Sequence, residues 1–361
     1  MKTKIINPNL NLMRNKHVFA SLLKRHLKVL LSNKTRMFYA LMVPIIILFV
    51  YILFLRNMEL TAVSNGLQEL GFKTEEFTGG LLKNVKTIVD AWMFSGIVSI
   101  TTITISLQTN SLLVEDKESG VNKDFISSPI KKETLITSYF IYNLIITVSL
   151  TIIIQLVVML ILACYGEFYL GMADFLTMTA VILLNCIPTT LIAVFICMFI
   201  KTEPVLTSII AIFSAAIGFL TGAYMPISML PKAVGYLCGF VPGTYSCSLI
   251  RYSYLRTPFN NLEAFLHNNP EILPGGTKID DVMNLVRSNF GYDIDFFGMN
   301  ITPNWSVLIT AIVTVVFLVL CLVFSSNVVK VESEVVKISK KIIEQSFKKE
   351  QKEKEAKSEN K

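Results

Sequence analysis

The chain has 361 residues, of which 53% are hydrophobic and only 16% charged, and its mean hydropathy is +0.58. Soluble domains carry about 25% charged residues, and the apolar residues here fall in long unbroken blocks, so an ordinary water-soluble globular protein is excluded. A net charge of +7 would point to nucleic acid in a soluble protein, but in a membrane protein the basic residues are placed by topology.

Residues 1–36 hold nine Lys and Arg, and the first acidic residue is Glu59. Within this segment Phe19, Leu22, Leu23, Leu27, Leu30 and Leu31 recur at helical spacing, with Lys24, Arg25 and Lys28 opposite. That pattern predicts an amphipathic helix lying in the headgroup layer. Six apolar runs follow, at 38–55, 91–114, 135–164, 175–200, 205–225 and 305–324, each without Asp, Glu, Lys, Arg or His. About 20 apolar residues cross the hydrocarbon core, and in lipid each run is expected to be helical. The first run is followed by Arg56-Asn57-Met58-Glu59 rather than a small-residue cleavage site, so it is expected to stay as a helix. The third run is long enough that it must tilt or begin as a turn on the inner side.

The sequence therefore predicts an all-α membrane protein in the cell membrane with six spans and both ends cytoplasmic. On that topology 24 of the 33 Lys and Arg lie inside. The division expected is a cytoplasmic segment 1–36, spans one to five with a re-entrant stretch over 37–250, an extracytoplasmic cap over 251–304, a sixth span over 305–327 and a charged tail over 328–361. The segment 56–90 reads as a polar loop. In the tail, Val328, Val331, Val335, Ile338 and Ile342 form a stripe that continues the last helix. Six cysteines lack C-x-x-C spacing and read as buried apolar residues. Cys238 and Cys247 would share the outer side, which leaves a disulfide between them open. Asn300-Ile301-Thr302 and Asn304-Trp305-Ser306 match the N-glycosylation pattern, and chance is the better reading of both.

Two absences bear on function. There is no G-x-x-x-x-G-K-[ST] loop to cradle phosphates, so any ATP and Mg must be bound by another chain. The apolar runs also lack an ionisable residue, which disfavours an ion-driven carrier. The scattered His17, His26 and His267 suit neither a metal centre nor an enzyme. A secondary carrier and a non-transport assembly protein stand as the rival classes. The second run is rich in hydroxyls and amides, so it should face protein or a transport path. Thr101, Thr104 and Gln108 in that run, with Gln155 and Asn185 in the next two, are the candidates to line such a path, against helix–helix hydrogen bonding as the plain alternative.

The loop between runs two and three carries Glu115, Asp116, Glu118, Gly120, Val121, Phe125, Ile126 and Pro129. It reads as a short amphipathic helix with acidic residues opening it and Pro closing it. After run five come Gly222, Pro226, Pro231, Pro242, Gly243, Tyr245 and Arg251. Together these segments resemble the permease subunits of type-2 ABC exporters, a group that exports drugs, polysaccharides and bacteriocins. The resemblance implies that the loop is a coupling helix docking a separate ABC ATPase. It implies that Gly222, Pro226, Pro231, Pro242 and Tyr245 shape a re-entrant outer gate. It also implies pairing with a second permease, identical or similar. The long 251–304 segment and the Lys-rich tail depart from the compact members.

Overall fold

The computed structural model describes residues 8–69, 71–72, 79–128, 130–165, 169–227, 230–275, 278–292, 294–296 and 299–325. Pro129, the 328–342 stripe and the charged tail lie outside the described residues. The described chain is a helical membrane bundle with one short hairpin.

Helix α1 (Pro8–Ser32) turns Leu22, His26 and Leu30, spaced by four residues, onto α7. Asn33 then caps α2 (Lys34–Val50) by accepting the Arg36 N–H at 3.1 Å. The chain continues through a π-turn at Tyr51–Leu55 into α3 (Arg56–Glu69). Next come α4 (Gly80–Thr109), α5 (Ser111–Glu118) and α6 (Val121–Ser127). They are followed by α7 (Lys132–Cys164), α8 (Met172–Phe199) and α9 (Glu203–Leu220). Helices α10 (Lys232–Gly239) and α11 (Pro242–Asn268) meet at 90°. After α12 (Ile279–Asn289) an antiparallel hairpin pairs β1 (Ile294–Phe296) with β2 (Met299–Ile301), and α13 (Pro303–Ser325) closes the described chain.

Six of these helices are long and apolar enough to cross a membrane, as the apolar runs predict. Their limits differ from the runs. The expected polar loop at 56–90 is mostly helix: α3 extends the first span, and α4 begins at Gly80. Hydropathy marks where lipid is, whereas helix propensity and backbone bonding carry a helix past that limit. The third span is one unbroken helix of 33 residues, about 50 Å at 1.5 Å per residue. Helix α11 crosses residue 250, where the sequence divides the re-entrant stretch from the cap.

Helix α4 is the centre. Of its apolar window 94% is buried inside the protein, against 17% for the first span and 11% for α13. Trp92, Phe94, Ile97 and Ile100 pack to one side or another with almost no exposure. Most hydroxyls in α4 bond to its own carbonyls: Ser95 donates to Trp92 O, Thr101 to Ile97 O and Thr102 to Ser99 O. Small side chains then let neighbours approach. The closest approach of another segment's backbone is at Gly96, where an added Cβ would lie 2.5 Å from the Ala223 carbonyl oxygen.

That carbonyl is backbone in the tight turn after α9 and has no rotamer to escape with. Gly96→Ala is therefore expected to destabilise the protein by about 1–3 kcal/mol, the usual cost of overpacking. Thermal unfolding in detergent checks this; an unchanged midpoint would show that the turn does not rest on α4.

Candidate functional site

Helices α5 and α6 form an elbow beyond the end of α4, and the junction is set by Gly120 at φ +81°. An added Cβ there meets nothing within 4 Å, so the left-handed conformation, not space, calls for glycine. Every acidic residue of α5 is used within the chain. Asp116 is buried and takes a two-pronged pair from Arg25 of α1, at 2.6 and 2.7 Å. It also accepts the Tyr139 hydroxyl of α7. Glu115 pairs with Arg36 of α2 at 2.9 Å, and Arg36 reaches Glu203 of α9 at 3.2 Å. Glu118 accepts the Glu203 N–H at 2.7 Å, placing a carboxylate at the start of α9. Lys117 donates to the Cys197, Met198 and Ile200 carbonyls at the end of α8.

The elbow is thus tied to α1, α2, α7, α8 and α9. Phe125 of α6 is half-buried, with the Arg25 guanidinium 5.2 Å from its ring centre. Val121 is half-buried as well. What the elbow exposes is Glu118, Ser119, Lys123, Asp124 and Ser127. Asp116, expected to face a partner, points inward.

The residues expected to shape a gate gather at the opposite end. Gly222, at φ +70°, turns the chain after α9. Pro226 is buried, Pro231 caps α10, and Pro242 opens α11. The break between α10 and α11 is closed by side chains. Thr244 donates to Cys238 O at 2.6 Å, and Tyr245 donates to Gly239 O at 2.7 Å. Cys238 and Cys247 are both buried free thiols, so the disulfide left open by the sequence is absent.

The chain matches the family described as ABC-2 type transporter over residues 17–255. It belongs to the ABC-2 type transporter family. The match runs from within α1 into α11 and so includes the elbow and the 90° bend. No curated protein sequence matches the chain. This ABC-2 protein is a multi-pass membrane protein and a permease component of a type-2 ABC transporter.

The permease buries four of its five expected path residues. Thr101 and Thr104 bond back along α4, to Ile97 O and Ile100 O. Gln155 of α7 is fully buried and shares hydrogen bonds with Thr179 of α8 at 3.3 and 3.4 Å. Asn185 donates to Val181 O, leaving its Oδ1 without a partner, and the half-buried Gln108 likewise has an unpaired Oε1. None of these five lines the apolar groove of about 710 Å³ between α4, α8, α9, α11 and α13. Ile103, Leu107, Thr189, Ser246, Thr310 and Phe317 are among the residues that do. Gln155 fits helix–helix bonding better than cargo contact, the plain alternative for that residue.

Sequence reasoning also missed a buried charge cluster in the first half of α4. Asp90 is fully buried and receives Arg56 Nε at 2.9 Å, Arg56 Nη2 at 2.8 Å and the Tyr51 hydroxyl at 2.6 Å. Arg56 and Asp90 are the two end residues of the segment that reads as a loop, and their opposite charges were the available signal.

His26 completes the elbow-end cluster. Arg25 can only donate, so its 3.3 Å contact makes His26 Nδ1 an acceptor. The proton then sits on Nε2, facing Ser138 Oγ at 3.1 Å, while Ser138 donates onward to Leu135 O. Tyr139 stacks on the ring at 4.2 Å and Tyr142 lies at 5.6 Å. Burial first, and then the Arg25 charge, push His26 down to about 4, with Asp116 opposing them. The fold therefore holds neutral His26. Its contribution is complete above the ordinary value of 6.5 and is lost as pH falls from there toward about 4.

Two expectations follow for the purified permease. Its thermal midpoint should drop between pH 7 and pH 5, and His26→Gln should flatten that drop; an equal drop in the variant would remove His26 as its cause. Asp116→Ala strands Arg25 and Tyr139 and should cost about 2–3 kcal/mol, somewhat less than a fully buried pair because Arg25 keeps some solvent contact. Pairing Arg25→Met with Asp116→Leu should recover most of that loss.

Proposed function

We propose that this chain is the membrane subunit of an ATP-driven exporter, docking a separate P-loop ATPase through the α5–α6 elbow. ATP and Mg would be bound on that partner. Two permeases, identical or similar, would pair around the transport path, in the cell membrane with both ends cytoplasmic. The observation that carries this reading is the bracing of the elbow: a short exposed element is tied by ion pairs and carbonyl bonds to five helices of the bundle. A force on its tip would move α1, α7 and α8 together. A loop without a partner has no need of such bracing.

Physically, the ATPase can only shift the permease between conformations by binding one better than the other. On this reading the tip residues Lys123, Asp124 and Ser127 touch the ATPase, while Glu115, Asp116 and Glu118 hold the tip in place. The gate residues Gly222, Pro226, Pro231, Pro242 and Tyr245 would shape the outer exit. Export, rather than import, rests on the likeness to the exporter group.

A secondary carrier is the rival reading. The bundle does contain buried carboxylates, Asp90 and Asp116, although the apolar runs have none. Each is held by an arginine and a tyrosine hydroxyl, an arrangement better suited to a structural tie than to a proton relay.

Co-purification with whatever P-loop ATPase is encoded beside this chain decides between them. Asp124→Lys should reduce the bound ATPase at least tenfold while the permease still elutes as a single folded species. Phe125→Asp, which also disturbs the packing under Arg25, should do the same. Retention by both variants would move docking away from the elbow, and a wild-type chain that binds no ATPase would return the carrier.

A further inference from the structure

A shallow apolar groove runs beside the elbow, between α5, α6, the start of α7 and the end of α8. Leu113, Phe125, Ile130, Ile136 and Met198 line it, together with Lys117 and Lys132. Phe125, Ile130 and Ile136 are only half-buried, and Lys123, Lys131 and Glu133 nearby are exposed. The groove is therefore apolar surface at the water boundary, where covering it is favourable. Ser325, the last residue of α13, lines the same groove and is buried in it. That helix end is held in place on α8: Cys321 donates to Leu191 O at 3.6 Å, and Phe324 packs edge-on against Phe195 and Phe199 at 5.8 and 5.6 Å. The chain thus leaves its last span at the wall of the groove.

Residues 326–361 follow Ser325 and lie outside the described residues. Their sequence supplies a surface that matches the groove. Val328, Val331, Val335, Ile338 and Ile342 share one face at helical spacing, and Glu332 and Glu334 flank that face on either side. Val328 is within about 10 Å of Ser325 even on fully extended chain. From Val328 to Ile342 a helix would span about 21 Å. A straight continuation into water would leave its apolar face bare.

We propose that residues 328–342 form an amphipathic helix that seats its Val and Ile face on this groove, as a clasp against the elbow of the same chain. Glu332 and Glu334 lie toward Lys117 and Lys132. The chain's own tail is the occupant because its point of attachment is in the groove wall: a short tether gives an effective concentration on the order of millimolar, which a free partner would have to match. The exposed tip residues Lys123, Asp124 and Ser127 do not line the groove, so the clasp leaves the tip open.

Disulfide trapping in the full-length permease tests the clasp. Cys164 is the one exposed native thiol, and Cys164→Ser removes it. On mild oxidation Ile130→Cys should link to Val331→Cys within one chain, read as the joined peptide by mass spectrometry. The link should form at least tenfold faster than that between Ile130→Cys and Ser333→Cys, because Ser333 falls on the opposite face of the helix. Val335→Asp with Ile338→Asp should slow the Val331→Cys link at least tenfold; both changes lie in the tail, so the bundle should still elute as a single folded species. Equal rates at 331 and 333, or no effect of the aspartates, would mean that the tail passes the groove without seating and would overturn the clasp. Linking between two singly substituted chains as fast as within one would assign the groove to a neighbouring copy's tail and would also overturn it. The measurement needs no ATPase, so its failure and the failure of the exporter reading are separate results.

Discussion

Helix α4 has protein on every side, and that burial is eased because most of its hydroxyls are satisfied within the helix. Ser95, Thr101, Thr102 and Thr104 return their protons to carbonyls three or four residues back. What they leave on the surface is a narrow, largely methyl-faced cylinder, against which α7, α8 and α11 pack. Without a hydrophobic driving force between helices in lipid, such close packing is the main source of association. Gly96 extends the same logic to the turn after α9, which rests its backbone directly on the helix. A few bonds then reach outward, such as Ser106 to Thr189 O and Asn143 to Ser106 O. They fix the rotation of α4 relative to α7 and α8.

Two buried carboxylates brace this cylinder. At one end Asp116 gathers Arg25 and Tyr139; at the other Asp90 gathers Arg56 and Tyr51. Each cluster joins a helix of the first half of the chain to the central bundle. A carboxylate shared by an arginine fork and a phenol has most of its acceptor capacity filled, which is how it can be buried without stranding its charge. The consequence for movement is that α1, α5 and α7 form one braced unit. The bend between α10 and α11 is stitched by Thr244 and Tyr245 rather than left as a free hinge.

The spans were readable because a bilayer imposes a length on apolar sequence, and the family was readable because the elbow and the Pro-rich bend sit between those spans in order. The inner face of α1 was partly readable: Leu22 and Leu30 are buried as the spacing requires, whereas Leu31 is left exposed. The partners of the buried acids were not readable. Arg25 and Asp116 are 91 residues apart and Arg56 and Asp90 are 34 apart, and nothing local specifies those meetings. The acidic run of α5 looked like a docking surface because solvation is the default for charge. Tertiary packing overrode the default for Asp116. The extended α3 and α4 were missed for a related reason, since polar residues outside the hydrocarbon form helices as readily as those within it.

Arg251 shows how far the bundle can depart from simple pairing. It stands in the middle of α11, is almost fully buried, and has no carboxylate within salt-bridge reach among the described residues. Its charge is met by the Gly222 carbonyl and the face of Trp92. These belong to three separate elements: the turn after α9, the centre of α4 and α11 itself, with Gly291 at the end of α12 close by. A neutral side chain could fill the volume but could not hold the turn by its carbonyl. Lysine could reach the carbonyl but lacks the planar face that lies on Trp92. The position thus calls for arginine on geometric grounds.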